Sequence, residues 1–260
     1  MFNTITYLLF THLAIGGAWA ISLVPDQASK GFFRFCGSAC AALLAIALFV
    51  APPQGPVLVH LGLTLGLLLI FVILIVNDQP ALARKVVYAA GLAGAIGLSS
   101  RGYSMLPEGW PYWVAYASAV YEIISAAFLG SVIFAMTLGH WYLVVPTLPI
   151  GPLRTLTLLM IAAALLKTLL IALVLYLGAY SPVHEIAEII EGFSRLGGLF
   201  FWARALFGVL GPLILCYMTW ETVKLNATQS ATGLLYVATI LVLIGETMSR
   251  FLYHTTHLPV

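Results

Sequence analysis

The chain has 260 residues, 62% hydrophobic and 8% charged, with a formal net charge of +2. Soluble domains are about 45–50% apolar and about 25% charged, so this composition excludes a water-soluble globule, and so small a net charge gives no ground for a nucleic-acid partner. Three cysteines, Cys36, Cys40 and Cys216, cannot build a disulfide framework. At about 20 residues per span the length allows about eight membrane helices and leaves no room for a soluble domain.

In chain order the apolar segments run over 4–24, 33–51, 56–77, 83–99, 112–141, 153–178, 197–222 and 230–253. Breakers separate them: Pro25-Asp26, Pro52-Pro53-Gln54-Gly55-Pro56, Asn77-Asp78-Gln79-Pro80, Pro107-Glu108-Gly109, Pro146 to Pro152, Ser181-Pro182 and Asn226 to Gln229. Lipid offers no partner to open backbone groups, so the spans are helices. The unbroken apolar run from Leu65 to Val76 has none of the alternation of a barrel strand. The first segment lacks a basic lead, as nothing basic precedes Lys30, and is read as a helix rather than a signal peptide. The expected fold is therefore an all-α, polytopic integral membrane bundle, with residues 1–260 as one transmembrane domain. No internal repeat is apparent.

Loops after odd-numbered spans hold Lys30, Arg34, Arg84, Lys85, Arg154 and Lys224; the other side holds Arg101, Arg195 and Arg250. Basic loops stay in the cytoplasm, so both termini are expected on the outer side of a multi-pass cell-membrane protein.

A charge near the bilayer centre costs at least about 2.5–3.5 kcal/mol, so it faces a bundle interior or a cavity. Glu122, Lys167, Arg204 and Glu246 are such charges. Glu122 lies ~15 Å from the start of its helix and Lys167 ~20 Å from the opposite side. They are read as a buried ion pair or a proton relay. Glu246 and Arg250 are four residues apart on one face of the last helix, with Tyr253 and His254 further along the stripe. The plain alternative is an i,i+4 pair with an interfacial tyrosine.

His12 and His60 fall at similar depth on two inward-running helices. Two axial histidines can hold a b-type haem; imidazole, carboxylate and phenol can serve a quinone; or the histidines only tie helices together. His140 suits an interfacial belt. Cys36 and Cys40 are read as small packing residues, as are Gly16-Gly17, Gly62/Gly66, Gly91/Gly94/Gly97 and Gly208/Gly211. There is no nucleotide-binding glycine loop and no His-Glu-x-x-His or Cys-x-x-Cys motif. Acids at helical spacing over His184 to Glu191, with Ile186, Ile189 and Ile190 between them, predict a short amphipathic helix.

The eight-span pattern with Gly245-Glu246-x-x-x-Arg250-x-Leu252-Tyr253 and Thr11-His12 resembles the membrane anchor subunits of the dimethyl-sulfoxide-reductase and polysulfide-reductase type. His60-Leu61-Gly62 matches only a fragment of the family's second-helix segment, without its Arg-Pro. The resemblance implies a quinone-reactive anchor of a respiratory-type redox complex in a bacterial inner membrane, not an enzyme by itself. It would work with iron–sulfur or cytochrome subunits and exchange electrons and protons with quinone or quinol. The expected quinone-binding residues are His12, His60, Glu246, Arg250 and Tyr253. A b-type cytochrome using His12 and His60, and a small-solute or ion transporter, are the alternatives.

Overall fold

The computed structural model describes residues 2–145, 147–195 and 198–260. Among these residues there are nine principal helices and no strand. They are α1 (Phe2–Leu23), α2 (Lys30–Val50), α3 (Pro56–Val76), α4 (Pro80–Ser104), α5 (Tyr112–Val144), α6 (Gly151–Ala179), α7 (His184–Ser194), α8 (Leu199–Lys224) and α9 (Thr228–Thr256). All except α7 are long and apolar enough to cross a membrane. The chain is a multi-pass, all-helical membrane protein. The short α7 is the amphipathic helix expected from the acidic repeat: Ile186 and Phe193 are buried, while Glu185, Glu188 and Glu191 are exposed.

Punctuation works as its chemistry requires. Proline opens α3 and α4 and lies at the start of α6, where its missing N–H is one the helix leaves unpaired anyway. The Ser29 hydroxyl caps α2 by accepting from the Phe32 amide.

The spans close into two up-and-down rings: α1–α2–α3–α4 with α1 against α4, and α5–α6–α8–α9 with α9 against α5. The same order thus occurs twice, although no repeat is visible in the residues. The rings join where α1 and α4 meet α5. Burial reflects this arrangement: 61% of the α1 and α5 spans is buried inside the protein, against 28% for α3 and α8. Close approach depends on glycine at the central seam. A β-carbon at Gly16 would strike the backbone of Ala126 and Gly130, and Gly208 lies against Gly245. Gly62 and Gly66 depart from expectation: a β-carbon at either meets nothing within 4 Å, so this pair packs no helix.

Two local features shape the interior. The sequence reading stops the fourth span at residue 99, but α4 runs on to Ser104 and draws Arg101 into the protein. In α8, Leu206–Leu210 forms a π-turn immediately before Pro212. Proline cannot donate and its ring crowds the preceding turn, and the wider turn accommodates both. Beyond α9, His257 adopts a left-handed conformation. The chain then folds back, burying Leu258 and Val260 among Trp110, Val114, Ile186 and Phe201.

Candidate functional site

Seven charged or imidazole side chains are buried among the described residues: His12, Arg101, Glu122, Lys167, Arg204, Glu246 and Arg250. All lie toward the end of the bundle formed by the start of α1 and the end of α9. Counting along each helix from that end puts them roughly 5–18 Å deep at 1.5 Å per residue. They come from α1, α4, α5, α6, α8 and α9, so the site exists only when both rings are assembled.

Glu122 is the hub. Its Oε1 accepts from Arg101 Nη1 at 2.8 Å, and Arg250 Nη1 lies 3.6 Å from the same oxygen. Its Oε2 stands 2.5 Å from His12 Nε2. The other imidazole nitrogen, Nδ1, is 2.6 Å from the Leu8 carbonyl oxygen. A carbonyl only accepts, so Nδ1 carries a hydrogen. Nε2 and Oε2 thus face each other at ion-pair distance, without a regular hydrogen bond between them.

Arg250 extends the network, since its Nη2 donates to Glu246 Oε2 at 3.2 Å. Lys167 pairs with Glu246 Oε1 and donates to Ser125 Oγ at 2.8 Å. Its ammonium also lies 4.8 Å from the centre of the Tyr121 ring, within cation–π reach. Arg204 Nη2 donates to the Tyr121 hydroxyl at 3.0 Å, and that hydroxyl bonds to Ser249 Oγ. The Val260 carbonyl accepts from Ser249 Oγ at 3.0 Å. Four cations and two carboxylates share this interior, with His12 beside them.

Some buried polar atoms around the hub make no regular hydrogen bond: Nε of Arg250, and His12 Nε2 and Glu122 Oε2, which face each other. Tyr7, Thr11 and Tyr253 place further hydroxyls beside them. Beyond Lys167 the axis is closed by apolar side chains, among them Leu129, Val132, Leu156, Met160 and Leu235. No charged side chain is buried there among the described residues.

Four of the five expected quinone residues, His12, Glu246, Arg250 and Tyr253, fall in or beside this network. His60 does not: it is partly exposed on α3, with Nδ1 turned to the Pro56 carbonyl oxygen at 2.7 Å. His12 faces protein oxygens with both nitrogens, which leaves neither open for haem iron. Glu122 and Lys167 both point inward, but they are not each other's partners. His254, on the same stretch as Tyr253, is exposed. Arg101, Tyr121, Ser125 and Ser249 escaped the sequence reading. Arg101 was the most accessible of them, because a longer fourth helix would have placed it inside. The hydroxyls carry no signal within an apolar run. Compared with known proteins, the chain matches no family model, and no curated protein is similar enough to align with it.

Proposed function

We propose that this chain is a quinone-reactive membrane subunit of a respiratory-type redox complex, with its site in the half of the bilayer nearer the two ends of the chain. The observation that carries this reading is the one-sidedness of the buried charge. A path for ions or solutes needs polar groups through the full depth of the membrane. Here the buried charges begin near one surface and stop at Lys167; beyond it the buried polar side chains are isolated hydroxyls such as Ser131, Thr157, Thr219 and Thr232 within an apolar core. That geometry suits proton handling from one side.

When bound, a quinone supplies two-electron, two-proton chemistry at its carbonyl oxygens. The chain's own residues would hold and protonate it. The Arg250 Nε would offer a donor beside the hub, with the Tyr253 hydroxyl close by. His12 stands beside Glu122, and imidazole is the side chain best suited to pass a proton near neutral pH. Arg101 anchors Glu122 toward the nearer surface, and Lys167 anchors Glu246 at the inner limit. In this reading the electrons pass to or from a partner, an iron–sulfur or cytochrome subunit docked on the same side. The distribution of basic residues outside the interior supports an outward-facing site: six lie at the opposite end, and Arg195 alone lies at this one.

The test is quinol-dependent electron transfer in His12→Ala and Glu246→Gln variants that still assemble with their partners. General acid–base groups are worth about 10²–10⁴-fold, so a loss of at least about 10²-fold is expected for His12→Ala. Wild-type turnover in both variants, with unchanged inhibitor binding, would overturn the proposal.

A further inference from the structure

The outer surface of the first ring carries a second, unrelated feature. On α2, Arg34, Ser38, Ala41, Ala42 and Ala45 recur every three or four residues, and Lys30 lies one turn before Arg34. This spacing puts them on one helical face. The last four form the floor of a groove whose other wall is Leu65, Leu69, Val72 and Ile73 of α3. The groove has a volume of about 500 Å³ and is almost wholly apolar. Ser38, Ala42, Ala45, Leu69 and Ile73 are exposed, so it opens toward the hydrocarbon. One turn before Ser38, toward the start of α2, the same face carries Arg34. A smaller depression of about 130 Å³, lined by Lys30, Phe33, Ile75, Asp78 and Pro80, lies by the start of α2 and the end of α3.

The charges at the start of α2 do not cancel. Lys30 pairs with Asp78, using one of its three donors. Arg34 is exposed and has no ion-pair partner among the described residues. This end of α2 therefore presents a surplus guanidinium about one turn from an apolar, chain-wide furrow.

We infer that the α2–α3 seam is a binding site for an anionic phospholipid, with one acyl chain in the groove and the phosphodiester on Arg34 and Lys30. Any lipid can fill the furrow; Arg34 selects the anionic one. A transmembrane helix from another protein would also meet the small-residue floor, but it brings no anion to the surplus charge at the edge. The arginine therefore favours the lipid.

The experiment uses the full-length protein in nanodiscs of phosphatidylcholine containing a minor fraction of phosphatidylglycerol, with retained lipid counted by native mass spectrometry. A basic side chain at an anionic surface is worth about fivefold in lipid preference. Wild type should hold phosphatidylglycerol at about five times its bulk ratio, and Arg34→Gln should fall to near the bulk ratio. Ala42→Phe should lose both lipids from the groove; Ala45→Leu serves the same purpose if the larger side chain impairs folding. Arg154→Gln, an exposed basic residue at the same end but outside the groove, should match wild type. Bulk-ratio lipid in wild type, or undiminished selectivity in Arg34→Gln, would overturn the proposal. So would an Ala42→Phe variant that sheds a co-purifying polypeptide while keeping its lipid.

Discussion

Glu122 faces Arg101, Arg250 and His12 with one carboxylate. Neutralising it leaves Arg101 and His12 without a counter-charge in the interior and Arg250 with Glu246 alone. Removing one partner of a buried pair costs about 3–5 kcal/mol, and Glu122→Gln is expected to reach that range in denaturant or thermal unfolding of the purified protein. Arg204 is the opposite case. It is buried, but among the described residues its hydrogen bond is to the hydroxyl of Tyr121, and its Nε has no partner there. Arg204→Met should therefore cost far less than Glu122→Gln, or even stabilise, in the same measurement. A parallel argument applies to Lys167 and Glu246. Lys167→Met and Glu246→Gln should each destabilise more than their combination, because the double variant leaves Arg250 with Glu122 and strands no ammonium. A double-mutant cycle with no coupling would refute that pairing.

At the scale of elements, the two rings are held at a seam where backbones touch. Gly16 on α1 and Gly130 on α5 leave no room for even a methyl group. Pushing the helices apart there would also draw His12 away from Glu122, since both pairs lie on the same two helices. Overpacking costs about 1–3 kcal/mol where neighbours can give, and backbone gives less than side chains do. Gly16→Leu is expected to exceed that cost and to abolish quinol-linked activity, while Gly62→Leu, pointing into open space, should leave both near wild type. Melting curves and turnover of the two variants check this contrast. The π-turn at Leu206–Leu210 belongs to the same scale. It sets Gly208 against Gly245, one residue before Glu246, so the irregular turn helps place α8 beside the network.

For the whole molecule, the eleven basic residues sort into three groups: six at one end, Arg195 alone at the other, and four inside. The asymmetry is steeper than the loop count of six against three, because Arg101 and Arg250 are interior. The proposed outward orientation predicts that Glu108→Cys reacts with a membrane-impermeant thiol reagent in intact cells, while Gln229→Cys reacts only after permeabilisation. Cys36, Cys40 and Cys216 are buried, which keeps the background low. The reverse pattern would move the site to the inner leaflet.

The number of the spans, the inward direction of Glu122, Lys167, Arg204 and Glu246, and the Glu246–Arg250 pair were legible in the residues; the end of the fourth span, and with it Arg101, was not. Each follows from rules that act locally: the cost of open backbone or charge in lipid, and the spacing of side chains along one helix. The partners of the other charges were not legible. Glu122 meets Arg101 across 21 residues and Lys167 meets Glu246 across 79. Both carboxylates lie at similar depth, so depth alone could not say which one Lys167 would take. That choice rests on how α5, α6 and α9 are rotated about their axes once the rings close, and only the packed bundle sets those rotations. The same holds for His12 and His60. They are alike in type and near in depth, but one helix is enclosed at the seam and the other faces outward, so one imidazole joins the network and the other does not.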